Sequence, residues 1–455
     1  MKGKKKISKI GILSITMLML SPSFAVAADA SSVTGHETGG RSISLDAAVR
    51  ESLSRRPSLK AFADEVQASK ERVGESKSGY LPSLSANYTD TVGNSMLGYF
   101  LFPGYQYGNF NLLTVGLTQT ILDFGRVHSQ VRQSRHQLKS VEAQKGRIIQ
   151  TVIRDVETAY YALLKSQHRV LSARQSLLDA QKHLEEAQAR MQAGVGLMLD
   201  ITQAKVNYEQ ARLDLIHEET GLRKAQVDLG RAIGYKSKQP FVADEIVAGG
   251  EAGLSVNPEA DLTRYLDIHP DILADKESVR AREASLDSAK DQNYPSISGF
   301  AQYYLAQISV QFFPGIPTTP FSSFNFGGML NVPIFEGGLT THQIHEARAS
   351  LSQSIHQKED DTVRIVASVR DAAEDVREAR ERLKETRTAL DNAAENDRLV
   401  EAAYRVGTAH SVDVIDAETA LRRARVDVDS ARYDLRSALV QYRYSLGILS
   451  PSGGS

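Results

Sequence analysis

The chain has no cysteine and no tryptophan, and aromatic residues make up only 7% of it. Without cysteine there are no disulfides, no thiolate metal ligands, no cysteine nucleophile and no N-terminal cysteine to carry a lipid anchor. No stretch is a credible spanning helix: the apolar run from Ile10 to Leu20 is about half the ~20 residues such a helix needs. Any insertion into a bilayer must therefore use strands. Excess charge of either sign is also missing, with 54 basic and 55 acidic residues and a formal charge of -1. That balance offers no bulk attraction to nucleic acid or anionic lipid, and no nucleic-acid partner is expected.

Catalytic signatures are absent as well. None of G-x-x-x-x-G-K-[ST], H-E-x-x-H or G-x-S-x-G occurs, so no enzyme and no cofactor are expected. A "DFG" triplet at Asp123 to Gly125 lacks the rest of the kinase set. "HQIHE" sets His342 and His345 one helical turn apart, but with no third ligand at a telling spacing it reads as a solvated helix face, and no metal site is expected.

What is present begins with a basic, then apolar, then small-residue leader ending "SPSFAVAADA". This reads as a secretory signal, with a membrane anchor as the less fitting alternative. Beyond it the sequence is written twice. Pro57 and Pro270, Pro82 and Pro295, Gly125 and Gly338, Gly194 and Gly407, Asp200 and Asp413, and Gly234 and Gly447 are all separated by 213 residues. A period so long marks a duplicated structural half rather than a solenoid.

Each half predicts a short helix, two strands, a long helix and a return helix. Ser44 is a plausible cap for the first helix. "PSLSANYTD" alternates Leu84, Ala86 and Tyr88 with small polar residues, and "NLLTVGLTQTI" does the same with Leu113, Val115 and Leu117. Such alternation fits a sheet over an ordinary core, and equally membrane strands joined by the aromatic turns "GYFLFPGYQYGNF" and "QFFPGIPTTPFSSF". Arg126 to Ala193 holds no proline and one glycine, and Leu339 to Val406 holds neither. Ile149, Val156, Leu163, Val170, Leu177, Leu184 and Met191 form a heptad seam with mostly small companions, a packing device. A helix of this length spans ~100 Å and must protrude.

The expected organisation is a signal peptide over 1–28, a first repeat over 29–234, a linker over 235–258, a second repeat over 259–447 and a tail over 448–455. The first repeat carries strands at about 81–92 and 110–122, a long helix at about 124–193 and a return helix at about 200–233. The second carries strands at about 295–307 and 322–335, a long helix at about 337–406 and a return helix at about 413–446.

Together, "SLDAAVRESLSRRPSL", "GYLPSLSA", "GLTQTILDFGR", "NVPIFEGGL", the segment "VGTAHSVDVIDAETALRRARVDVDSARYDLRSALVQYRYSLG" and the duplication resemble the TolC-like outer-membrane efflux proteins over nearly all the mature length. The resemblance implies a mixed fold: long coiled-coil hairpins forming a periplasmic tunnel, and four transmembrane strands per chain in a twelve-stranded barrel shared by a homotrimer. Four strands alone would leave unpaired edges in lipid, so sharing is required physically. The resemblance further implies an outer-membrane exit duct serving an inner-membrane efflux or secretion pump through a periplasmic adaptor. The adaptor would dock on the hairpin tips, Gly194, Val195, Gly196 and Leu197 with Gly407 and Thr408. Asp413 and Asp416 match paired aspartates lining the constricted entrance, where rings of carboxylates would select cations. Asp200 and Tyr404 match positions that clamp the closed mouth, while Ala409 stands where relatives carry arginine. The plainer readings are reversal of a helix for the tip glycines and capping for Asp200 and Asp413. A non-channel periplasmic coiled coil built from the same heptads is the alternative function, and cargo is not written in the chain.

Overall fold

The structure, a computed structural model, describes residues 40–93, 108–235, 240–245, 256–310, 320–406 and 408–450. The expected signal peptide, most of the linker and of the tail, most of both aromatic turns, and Gly407 lie outside these residues.

The duplication governs the architecture. Helices α1 (Leu45–Arg55) and α2 (Pro57–Ser78) precede strands β2 (Ser83–Gly93) and β3 (Gly108–Leu122), long helix α3 (Arg126–Gln192) and return helix α4 (Met198–Ile233). In the second half come α5 (Pro258–Tyr265) with a 3-10 turn to Ile268, then α6 (Pro270–Asp291), strands β5 (Ser296–Val310) and β6 (Phe321–Asn331), α7 (Leu339–Arg405) and α8 (Ser411–Ser445). Each of these elements starts 213 residues after its mate, and both long helices have 67 residues. Short strands β1 (Arg41–Ile43) and β4 (Phe241–Ala243) pair in parallel beside the helices.

One expected short helix per half proves to be two. Pro57 and Pro270 open second helices of 22 residues, because proline lacks only an N–H that the first turn leaves unpaired anyway. The ends of α4 and α8 abut the starts of α2 and α6. Arg56 donates to the Ala232 carbonyl at 3.4 Å and pairs with Asp155 at 2.9 Å. At the other junction Arg147 and Gln150 donate to the carbonyls of Tyr444 and Gly447 at 2.7 and 2.5 Å. Each long helix is thus flanked by two shorter ones set end to end.

Strand ends also differ from expectation. β5 runs on to Val310, while β6 leaves the ladder at Asn331 rather than 335. Pro333 cannot donate to a neighbouring strand, which accounts for the early stop. Strand then turns into long helix through left-handed residues, Phe124 (φ 53) and Gly125 in the first half, Gly337 and Gly338 in the second. Here the "DFG" triplet finds its use: Asp123 accepts hydrogen bonds from the backbone N–H groups of Gly125 and Val127 at 3.1 and 2.7 Å, capping α3.

The strands form one antiparallel sheet in the order β2-β3-β5-β6. Cross-strand rows read Leu84, Leu117, Ala301, Phe326, then Ala86, Val115, Tyr303, Phe324, then Tyr88, Leu113, Leu305, Ser322. The opposite face carries Ser85, Gly116, Gln302, Asn325 and Asn87, Thr114, Tyr304, Ser323. Among the described residues no element covers the apolar face: Leu84 is 72% and Phe326 79% exposed. From Ile297 to Leu305 it runs ~27 Å along the strand, near the height of a bilayer-facing band once tilted. The core-sheet reading is therefore set aside.

Apolar cores lie among the helices instead. One joins Tyr160, Leu163 and Leu164 of α3 to Leu229, Ile233, Phe241 and, across the halves, Tyr433 and Val440. The other joins Val369, Ala373 and Val376 of α7 to Ala431, Leu435 and Leu439 of α8. Burying each such leucine or valine contributes about 1.5–3 kcal/mol. Polar pairing follows the seam between the halves: α3 supplies Arg132, His136 and Arg147 to Asp287, Glu277 and Asp271 of α6, then Lys165, His168 and His183 to Asp434, Asp429 and Glu418 of α8.

Candidate functional site

The hairpin tips lie at the ends of the long helices, farthest along the chain from the strands. After α3, the N–H of Gly194 donates to Met191 O at 3.0 Å and that of Val195 to Arg190 O at 3.1 Å, so the last carbonyls of the helix are satisfied. Gly194 holds φ +78, and a Cβ on Gly196 would stand 2.7 Å from the Met191 backbone nitrogen, so the reversal requires glycine twice over. Val195, Leu197, Met198 and Leu199 are left exposed. At the second tip Thr408 closes the turn, with its N–H and hydroxyl both donating to Ala403 O at 2.9 and 3.0 Å.

Return helices start two residues earlier than expected, at Met198 and Ser411, which moves the aspartates two positions into the helix. Neither Asp200 nor Asp413 is an N-cap. Each is the third helical residue, accepting from the cap's own N–H: Leu197 N to Asp200 at 3.2 Å and His410 N to Asp413 at 2.8 Å. That is half of a capping box, favoured further by the helix dipole. Asp416, one turn on, is exposed and makes no hydrogen bond among the described residues. Capping therefore accounts for one aspartate of the pair and leaves the other.

Asp200 and Tyr404 are not brought together within one chain. Tyr404 instead lies beneath the guanidinium of Arg190, 5.2 Å from its ring centroid, a contact that ties the end of α3 to the end of α7. Arg190 carries no signal in the sequence, being one of many charges on an exposed helix end.

Above the tips, His183 of α3 and Glu418 of α8 meet at 2.8 Å. That bond, against the opposing effect of partial burial, raises the imidazole's pKa and lowers the carboxylate's. Higher on the same seam His168 is enclosed by Asp429 (3.4 Å), Glu245 (2.9 Å) and the Tyr433 hydroxyl (3.0 Å). Its pKa is held up to about 9, mainly by the Asp429 hydrogen bond. Between these two pairs α3, α4 and α8 part to leave a groove of about 500 Å³, with Ser176, Asn207, Asp416 and Arg423 on its walls. His342 and His345 stack edge to face at 6.5 Å. Among the described residues no group of three or more His, Asp or Glu side chains could hold a metal ion.

Matched helical hairpins joined to a sheet with one apolar face and two open edges define a subunit of a membrane-inserted helical duct. The chain belongs to the outer membrane efflux protein family, whose model matches residues 48–235 and again 262–447, one match per half. It is 23% identical to the outer membrane protein TolC of Escherichia coli (strain K12) over 415 residues, covering 87% of this chain and 80% of that one. To protein CyaE of Bordetella pertussis (strain Tohama I) it is 23% identical over 343 residues, 74% of this chain and 70% of the other. A crystal structure of CusC superposes with a TM-score of 0.74 at 18% identity, over 92% of this chain and 95% of that one.

Proposed function

We propose that the chain is the outer-membrane exit duct of a tripartite efflux or type I secretion system, carrying cargo passively, without catalysis or cofactor, from an inner-membrane pump and periplasmic adaptor to the exterior. In this reading three copies close a twelve-stranded barrel, lipid meets the apolar sheet face, and the helices wall a periplasmic tunnel. Nucleic acid has no part in it. Export uses the leader over 1–28, and there is no lipid anchor.

The carrying observation is the sheet: among the described residues β2 and β6 each leave one edge unpaired and the apolar face is bare. In lipid both edges must be paired by further copies. The helices support the same closure. Leu199, Val206, Leu213 and Val227 of α4 lie in one heptad register and are exposed. Val227 is 70% exposed, yet its mate Val440 is 1% exposed where α8 packs on α3. The duplication makes α7 of a second copy, the counterpart of α3, the element that covers the α4 stripe.

Asp413 and Asp416 then ring the entrance, the tips receive the adaptor, and Asp200 and Tyr404 clamp the closed mouth between copies. Like charges facing one lumen attract cations. The test is planar-bilayer conductance of the purified leader-cleaved protein beside Asp413→Asn, Asp416→Asn. A small cation-selective conductance that rises and loses selectivity in the double variant is expected. No conductance from folded, inserted protein would remove the duct.

A further inference from the structure

We propose that His183 and Glu418 form a proton-dependent latch that holds the first hairpin against the second just above the mouth and releases it as pH rises. The consequence for transport rests on the duct reading; the latch itself does not.

The geometry carries the inference. The pair crosses from α3 to α8 at 2.8 Å. It lies nine residues above the end of α3, or ~14 Å along the axis. The pair lies on the wall of the groove between α3, α4 and α8, and the next cross-seam ion pair above it among the described residues is His168 with Asp429. Below it the described link between the tips is Arg190 over Tyr404, which joins α3 to α7. His183 and Glu418 therefore hold the lower part of the α3–α8 seam, and release there leaves Arg190 and Tyr404 as the remaining tie near the mouth.

Every charge facing the pair can be placed. From α8, Arg422 approaches Glu418 at 3.7 Å. On α3 itself Glu186 lies 4.0 Å from the His183 ring and Asp179 acts from one turn above. α4 presents Asp214, His217 and Glu218 to the same groove, α3 adds Arg169 and α8 adds Asp416 and Arg423, while α7 presents Asp397, whose carboxyl is raised by partial burial and by Glu418 against Arg425 and Arg422. The surroundings of His183 are thus mainly acidic, which favours imidazolium and agrees with its raised pKa. Glu418 is lowered by the same bond, so it keeps its charge well into acid. The sign follows: both partners are charged in mild acid, and the pair weakens as pH rises through the raised imidazole pKa. His168, held to about 9 in its fuller enclosure, keeps the upper seam joined while the lower one lets go.

The chain has no cysteine, so introduced thiols are the only ones. Spin labels at Gln188→Cys and Ala420→Cys, on the two hairpins, report their separation in the assembled protein. In the otherwise unaltered protein one short distance is expected at about pH 6, with a longer population growing as pH rises toward about 8, below the range in which His168 titrates. His183→Arg keeps the cation and should hold the short distance throughout; His183→Gln and Glu418→Gln should show the long population at every pH. Conductance measured in parallel should rise with pH in the unaltered protein and stay flat in His183→Arg. If His183→Gln follows the unaltered pH profile, or if no population shifts with pH, the latch is wrong. Distances that respond without any conductance would uphold the latch and reject the duct.

Discussion

A Cβ placed on Gly447 would stand 2.6 Å from Cδ2 of His269, where the end of α8 meets the start of α6. Gly447 also holds φ +72, a region costly to any residue with a Cβ. Gly447→Ala should therefore destabilise the chain by about 2–4 kcal/mol, combining left-handed strain with overpacking. At the equivalent junction a Cβ on Gly234 comes no nearer than 3.2 Å, to the Arg56 Cα, and Gly234→Ala should cost about 1–2 kcal/mol. Denaturant unfolding of both variants checks the order; equal midpoints would refute it.

His269 itself is 1% exposed and caps α6, its Nδ1 accepting from Asp271 N at 3.2 Å. Burial, with Arg147 nearby, pushes its pKa down to about 4. The unfolded chain then binds a proton that the folded one refuses. Stability is fully present above the ordinary imidazole pKa of about 6.5 and falls as pH drops through 4, by at most about 3 kcal/mol. His269→Asn, which can still cap, should flatten the change in melting temperature between pH 7.5 and 4.5.

Glu157 works in the opposite direction. At 4% exposure, burial raises its pKa to about 7 against the pull of Arg443. A carboxyl raised on folding loses stability as pH climbs from its unfolded value toward 7. Glu157→Gln should leave stability near pH 4.5 unchanged and raise it by about 1–3 kcal/mol at pH 8. Unfolding curves at the two pH values decide; a loss at pH 8 would contradict the assignment.

Phe326 and Asn325 are neighbours on opposite faces of β6. If the apolar face meets lipid, Phe326→Arg should cost about 2–4 kcal/mol per chain and reduce membrane-inserted protein, whereas Asn325→Arg should insert normally and alter conductance. Outer-membrane fractionation of the two variants separates these outcomes, and equal insertion would argue against a lipid-facing surface.

Asp413 and Asp416 differ in structure and should differ on substitution. Asp413→Asn weakens the bond from His410 N and should lower stability by about 0.5–1 kcal/mol as well as selectivity. Asp416→Asn, with no such bond, should change cation selectivity alone. Paired melting and reversal-potential measurements test this, and a selectivity effect confined to Asp413 would reduce the ring to one layer.

The doubled plan of the fold was legible because prolines and glycines punctuate both halves at one interval, and these are the residues whose backbone demands survive divergence. The 22-residue helices α2 and α6 were not. α2 buries only Val66, Ser69 and Val73, too narrow a face to stand out as periodic hydrophobicity. Alternation in β2 and β3 identified strands but not what covers them, since a core and a lipid chain select the same side chains. At the mouth, glycines and aspartates were legible as a repeated motif. Arg190, His183 and Glu418 were not, because an ion pair across two helices leaves no spacing along either one.

The seam between the halves bears on the order of assembly. In its six closest ion pairs the cation sits on α3 and the carboxylate on α6 or α8. Shifted by one repeat, the α3 positions become His345, Ala349, Asp360, Glu378, Glu381 and Asn396 on α7, a row that has largely lost or reversed its charge. The internal seam is matched electrostatically and closes at the high effective concentration of a single chain, while the corresponding row on α7 lacks that pattern of cations. Each polypeptide can thus finish as a tile before meeting another, and a neighbour's α7 makes a poor substitute for its α3. The two halves share one architecture but not one charge pattern, so the wall segments that a chain contributes are directional rather than interchangeable.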